Sequence, residues 1–372
     1  MSTSSHVMIS AQTRVLRMKR PARFGSFFVS ERRSCVVTVE LPDGTRGWSF
    51  TLDRGGPVSQ MVNDVVAPRY AEIFEGSPLQ AWDACMASHH PVLAAGVGLR
   101  ALSLVDNAVY DALSRAQGLS VGQFLGVASV DAPLFGIVGY PPSTGPDEVA
   151  LEVDAALKSG VIGVKLPIAQ SVVDTRNRVL AAIDAAGGSP VALDLAWTAR
   201  DAQEAAALVD GLELAWVEDP FVPGRTGELV RLRQMLDVPL ASGDEESHLY
   251  HPEVLLEAEA VDIIRMDATC QGGVSRIARL GERLGTYGVP VSWHMNTFIH
   301  RQLAGIGGIT THSIEISAPG SGVDVLAEML ASESREVLAK VSWRGVQGWG
   351  ISEPSFDEGD AREGWAALGP ST

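Results

Sequence analysis

Cysteine is scarce in this chain. It occurs 3 times in 372 residues (Cys35, Cys85 and Cys270), far apart and with no C-x-x-C spacing. That excludes a disulfide framework and a structural zinc site, and it suits a reducing, cytoplasmic setting. Long apolar runs are also missing. No stretch approaches the roughly 18 residues a membrane helix needs, so no membrane partner is expected. Positive charge is in short supply, with 29 Lys and Arg against 45 Asp and Glu, for a net charge of -16. Nucleic-acid binders usually carry the opposite sign, so no nucleic-acid partner is expected either. What the chain does have is apolar material. At 46% it is enough for a sizeable core and rules out global disorder. The length allows two or three domains, or one large barrel with additions.

One segment lacks acid altogether. The first acidic residue is Glu31, and Arg14, Arg17, Lys19, Arg20 and Arg23 precede it. Transit peptides share this composition, but Ile9 and Val15–Met18 read as a strand. The run is therefore expected to be a charged strand edge or a basic loop reserved for an anionic ligand.

Three textures follow one another. Residues 8–52 read as an antiparallel unit: Ser34–Leu41 is rich in β-branched residues, Pro42-Asp43-Gly44 is turn chemistry, and Thr45–Thr51 returns. Residues 57–128 have helical spacing, as in Leu99, Leu102, Val105, Val109 and Leu113. From about residue 132, short apolar runs alternate with helical stretches. The runs are Leu134–Val138, Gly160–Leu166, Val191–Leu195, Ala215–Val217, Pro239–Ser242, Val261–Met266, Pro290–Trp293 and Ser313–Ile316. Near-continuous apolar strands alternating with helices predict a buried parallel sheet, and this many units in so short a span favour a closed barrel. No glycine-rich phosphate turn follows the first strand, which counts against an open dinucleotide-binding sheet. The expected organisation is an α+β cap over 1–130, a barrel over 131–325, and a C-terminal segment, 326–372, packing back on the cap.

Ionisable residues stand at the C-terminal ends of the strand candidates: Lys165, Asp194, Glu218, Asp244, Asp267, His294 and Glu315. Each is separated from the next by about one strand-plus-helix unit, roughly 20–30 residues. A lone strand-end Asp is more often a helix cap, but seven in register would meet at one mouth. Asp194, Glu218 and Asp244 on adjacent strands would repel one another, and a hard dication such as Mg²⁺ resolves this with oxygen ligands. Glu245 is the rival third ligand. A one-residue step turns a side chain to the other face, so only one of the pair points inward, and Asp244 is favoured. Asp267 beside His294 fixes the imidazole tautomer and makes a general base. Glu315 is either a hydrogen-bond donor with a raised pKa or a plain acid. His300, six residues past His294, is a candidate substrate contact. A dication that holds a carboxylate, with a base alongside, suits removal of the proton next to that carboxylate.

With WVEDP, SGDE and the D…GG…H elements in hand, together with Ser103–Gly126 (SLVDNAVYDALSRAQGLSVGQFLG), the sequence resembles the mandelate racemase subgroup of the enolase superfamily over nearly its whole length. The resemblance implies a modified TIM barrel, (β/α)7β, with an α+β cap completed by the C-terminal segment. It also implies Mg²⁺ on Asp194, Glu218 and Asp244, a His294–Asp267 dyad, Glu315 as an electrophilic acid, an enediolate intermediate and a homo-oligomer. The family's second barrel strand normally ends in Lys-x-Lys, whereas here it reads Lys165-Leu166-Pro167. Lys165 matches either lysine, and if it is the first, Pro167 stands in place of the second base. A one-base acid-sugar dehydratase acting on an aldonate or aldarate is then favoured. The alternatives are a racemase or epimerase using Lys165 opposite His294, and a silent binding protein of the same fold. Lys19, Arg20 and Arg23 lie where the family has a mobile cap loop and are the expected contacts for the substrate's carboxylate.

Overall fold

The structure, a computed structural model, describes residues 6–24, 27–128, 130–245, 248–317, 345–351 and 367–368. The side chains of 16–20, 22–24, 27 and 367–368 fall outside that description, as do the residues between these ranges.

Three long strands open the chain: β1 (Met8–Phe24), β2 (Phe27–Glu40) and β3 (Arg46–Leu52). They form an antiparallel sheet. The turn between β2 and β3 is the expected Pro-Asp-Gly one: Asp43 Oδ1 accepts the Thr45 amide at 2.8 Å, and Gly44 takes φ +84°. The basic run, expected as a charged strand edge or a basic loop, is extended backbone within β1. It pairs with β2 through a register shift between Arg17 and Ala22. Helices α1 (Val58–Met61), α2 (Ala67–Ile73), α3 (Pro78–Leu93), α4 (Gly96–Ala116) and α5 (Val121–Phe124) follow.

Helix α4 is the spine of this unit and is buried along most of its length. It lies so close to β3 that a Cβ on Gly47 would sit 2.2 Å from the Ala112 nitrogen. Its buried polar residues are all engaged. Asp111, for example, accepts the amides of Trp48 and Trp349 and the Arg115 guanidinium, tying β3 and the 345–351 segment to the helix.

Eight parallel strands then close into a barrel: β4 (Leu134–Ile137), β5 (Gly163–Pro167), β6 (Val191–Asp194), β7 (Trp216–Glu218), β8 (Leu240–Ser242), β9 (Ile263–Met266), β10 (Val291–Trp293) and β11 (Thr311–Ser317). The helices α6 (Pro146–Lys158), α7 (Val172–Ala186), α8 (Ala202–Val209), α9 (Thr226–Met235), α10 (His251–Glu257), α11 (Gly273–Tyr287) and α12 (Thr297–Leu303) each follow one strand, and β11 ends the cycle. This is the (β/α)7β barrel. β12 (Ala367–Leu368) returns to pair with β1.

The outward faces of the strands, such as Val164, Leu193, Val217, Leu240 and Ile264, pack against the helices in one apolar cluster. Phe135, Ala192, Trp216, Ala241 and Ile263 form a smaller cluster of their own. Burying each such aliphatic side chain contributes about 1.5–3 kcal/mol. Among the described residues no helix is long and apolar enough to cross a membrane.

Cap and barrel join through hydrogen bonds. The N-terminus of α11 opens on Gly272 and Gly273, both at positive φ, and neither can cap it with a side chain. Helix α4 supplies the caps. Ser103 Oγ accepts from Gly272, Asn107 Oδ1 from Val274, and Asp106 Oδ2 from Ser275. The fit is tight: a Cβ on Gly273 would lie 2.6 Å from the Asp106 carboxylate. Burial pushes the Asp106 carboxyl up to about 7, although its bonds to Ser275 act in the other direction.

Candidate active site

Parallel strands bring their C-terminal ends to one face. There Pro167, Asp194 and Glu218 are register neighbours across β5, β6 and β7. Asp244 stands just beyond β8, Asp267 and His294 directly follow β9 and β10, and Glu315 lies within β11. Asp194 and His294, with side chains 16% and 12% exposed, open toward solvent; Glu218, Asp244, Asp267 and Glu315 are enclosed. The backbone is strained here. Ala196, Trp197, Asp219, Met295 and Asn296 take positive φ of 41–57° immediately past strand ends, as non-glycine residues do at functional rims.

The strand-end aspartates divide their oxygens between structure and chemistry. Asp194 Oδ1 accepts the Ala196 amide at 2.7 Å, and Asp267 Oδ1 accepts the Thr269 amide and hydroxyl, both at 2.7 Å. These side-chain turns let the chain leave the strand. The other oxygen of Asp267, Oδ2, lies 3.1 Å from His294 Nδ1, and Asn296 Nδ2 approaches it at 3.4 Å. Burial alone would raise Asp267, but the hydrogen bond from His294 and the nearby His300 ring outweigh it and hold the carboxyl well below its usual range. Burial alone would lower His294. Asp244, Asp267 and Glu315 prevail and raise it to about 9.

The carboxylates crowd. Ligand oxygens of Glu218, Asp219 and Asp244 lie within 4.8 Å of one another. Burial, together with the charges on Glu218 and Asp244, lifts Asp194 to about 7 despite nearby Lys165. Asp244 Oδ1 is enclosed and has no hydrogen-bond partner. A buried carboxylate oxygen without a donor is costly unless a cation fills the role, so this donor set fits a hard dication.

Two internal cations share the load. Lys165 Nζ lies 2.5 Å from Glu218 Oε1, 2.5 Å from Glu315 Oε1 and 3.9 Å from Asp194 Oδ2. Arg265, inside β9, donates to Asp244 Oδ2 at 2.7 Å.

Several expectations are corrected by this geometry. Glu245, the rival ligand, is taken away by the cap: Arg54 and Arg100 hold its two oxygens at 2.5 and 2.6 Å. Burial would raise Glu245, but these guanidiniums keep it well below the carboxylate range. Lys165 is enclosed beside Glu218 and Glu315. Burial opposes its charge, yet Glu218 and Glu315 prevail and hold the ammonium above its ordinary value. At Glu315, Arg265 and Lys165 outweigh burial and lower the carboxyl below its usual range. His300 is fully buried. It sits 2.7 Å from the Met295 carbonyl through Nδ1, accepts the Ala268 amide through Nε2, and stacks on Trp293, which commits both ring nitrogens to the backbone. The Lys19, Arg20 and Arg23 side chains lie outside the described residues. Sequence reading passed over Asp219 and Arg265. The signal for Arg265 was period-two alternation, because two residues before an inward Asp267 must also point inward.

Residues 148–334, half of the chain, match the family model described as enolase C-terminal domain-like. A putative L-rhamnonate dehydratase of Caldivirga maquilingensis is 29% identical over 272 residues, 69% of this chain and 65% of that protein, so the match spans just under two thirds of that relative's length. D-galactarolactone cycloisomerase of Agrobacterium fabrum is 26% identical over 290 residues, 75% of each chain. A crystal structure of an enolase from the alpha proteobacterium bal199 with bound Mg superposes with a TM-score of 0.72 at 25% identity, covering 84% of this chain and 88% of that one. With a closed barrel, an antiparallel cap and a matching family model, this chain belongs to the enolase superfamily, in its mandelate racemase/muconate lactonizing enzyme group.

Proposed function

We propose that the chain is a Mg²⁺-dependent lyase that dehydrates an acid sugar, an aldonate or aldarate, to a 2-keto-3-deoxy acid. The observation that carries this reading is the one-sidedness of the mouth. His294, bonded to Asp267, flanks the carboxylate ring on one side, and the position level with Asp194 on β5 is Pro167, which has no proton to exchange. The dehydratase relative points the same way.

Asp194, Glu218 and Asp244, with Asp219 beside them, would hold the ion, which supplies positive charge against the substrate carboxylate as electron density builds there. Asp267 orients His294 through Nδ1, so Nε2 is the atom that takes the α-proton; the ion would offset Asp244 and Glu315, whose charges raise the ring to about 9 in its absence. The resulting imidazolium returns that proton to the departing β-hydroxyl, which leaves as water while the carbon–carbon double bond forms. The enol then tautomerises to the keto acid. Lys165, kept as an ammonium by Glu218 and Glu315, donates hydrogen bonds to the substrate carboxylate. A homo-oligomer in the cytoplasm completes the proposal, and the three buried free cysteines are compatible with that compartment.

The test is a screen of the Mg²⁺-loaded protein against mono- and diacid sugars, with semicarbazide detection of keto acids. A keto acid from at least one substrate is expected. Deuterium exchange with inversion of recovered substrate and no keto product would establish the isomerase reading, which the cycloisomerase relative favours. A folded protein without metal-dependent turnover of any substrate would point to a silent binding protein.

A further inference from the structure

Arg265 has no part in the reaction as written. It is fully buried on β9, beside Ser292 of β10, in a barrel interior of the kind normally filled by branched apolar side chains. A guanidinium there is tolerated only if anions meet its donors. They do. Nη2 lies 2.7 Å from Asp244 Oδ2 and 3.4 Å from Glu218 Oε1. Nη1 lies 2.7 Å from Glu315 Oε1 and donates to Ser292 Oγ at 2.8 Å. One planar fork thus spans three carboxylates from three strands.

The consequence falls on Asp244. Its Oδ2 is committed to the fork and its Oδ1 is left enclosed and without a partner. The neighbouring Glu245 is meanwhile held by the cap arginines. We propose that Arg265 is a positioning residue of the cation site, a permanent internal cation that fixes the Asp244 carboxylate and ties it to Glu218 and Glu315, so that the ligand cage is assembled before any dication arrives. This rests on the reading of Asp194, Glu218 and Asp244 as the metal ligands.

Charge and geometry make opposite demands here. If Arg265 only offset negative charge, removing it would leave the cage more negative and tighten Mg²⁺ binding. If it positions Asp244, removing it weakens binding.

The experiment is calorimetric titration of Mg²⁺ into full-length, metal-stripped wild type, Arg265→Met, Arg265→Lys and Asp194→Asn, with near-UV circular dichroism to confirm folding. Arg265→Met is expected to raise the Mg²⁺ Kd at least tenfold. Arg265→Lys should recover part of that, since an ammonium keeps the charge but cannot bridge Asp244 and Glu315 as a fork does. Binding by Arg265→Met as tight as wild type, or tighter, overturns the proposal. If Arg265→Met does not fold, Arg265→Lys decides: several-fold weaker binding supports positioning, and unchanged binding overturns it. Wild type that binds no Mg²⁺ sinks the metal-site reading itself. Wild-type binding that Asp194→Asn loses while both Arg265 variants keep it sinks only this inference.

Discussion

Along β8, β9 and β10 the loops carrying Asp244, Asp267 and His294 run beneath the cap, whereas those after β5, β6 and β7 are held to one another. On the first side Glu245 is gripped by Arg54 and Arg100, Leu249 donates to the Ala94 carbonyl, and Thr269 Oγ1 meets Thr51 Oγ1. Asn107 and Trp82 bind the carbonyls of Ala268 and Gly272. On the second side Ile168 donates to the Asp194 carbonyl, Trp197 to that of Asp219, and Ala199 to that of Pro220. The proposed His294–Asp267 dyad is thus braced by a second layer of structure, while among the described residues Asp194 and Glu218 are held by bonds within the barrel. A general base must keep its geometry through the reaction, so its bracing is where precision matters most.

Four substitutions put that contrast under strain. The largest effect is expected for His294→Asn on the braced side. It should cost about 10²–10⁴ in kcat on any substrate the screen identifies, with Mg²⁺ affinity little changed; retained turnover would break the dyad assignment. Next is Arg100→Met. Arg100 and Glu245 have side chains 8% and 10% exposed, and removing one partner of a buried pair costs about 3–5 kcal/mol. Because Arg54 remains, about 3 kcal/mol is expected in urea unfolding.

Asp106→Ala follows, at about 1–3 kcal/mol, because the buried Ser275 amide loses its acceptor. The same residue sets a pH test. Its folded pKa of about 7 lies above the 3.8 of a free carboxyl, so the folded chain holds a proton that the unfolded chain has released. Stability should therefore fall as pH rises from about 4 through about 7. Asp106→Asn accepts from the Ser275 amide and donates to its hydroxyl, so it should flatten that slope; an unchanged slope assigns it to other groups.

The smallest effect belongs to the self-held side. Asp194→Asn removes a carboxylate that its neighbours repel, so the metal-free protein should gain about 1 kcal/mol while losing Mg²⁺ affinity. A clear loss of metal-free stability would mean that Asp194 braces the mouth through Ala196 more than it strains it.

Much of the barrel was legible in the sequence. Apolar runs between helical stretches located every barrel strand to within a few residues, because buried parallel strands carry their burial in composition. Strand-end spacing identified Asp194, Glu218, Asp244, Asp267 and His294 as neighbours. What spacing does not carry is how a side chain spends its hydrogen bonds. His300 was read as a substrate contact, yet its ring nitrogens are committed to Met295 and Ala268. Strand phase favoured Asp244 and left Glu245 a rival; what excludes it are two arginines about 145 and 191 positions away. Arg265 was hidden because a charged residue in an apolar strand reads as a surface position.

The borrowed caps on α11 carry a last consequence. A helix whose opening amides are answered by Ser103, Asp106 and Asn107 has no finished end of its own. The eight-stranded ring is therefore incomplete as a folding unit when cut free of the preceding helix, and the two halves are bound to melt together.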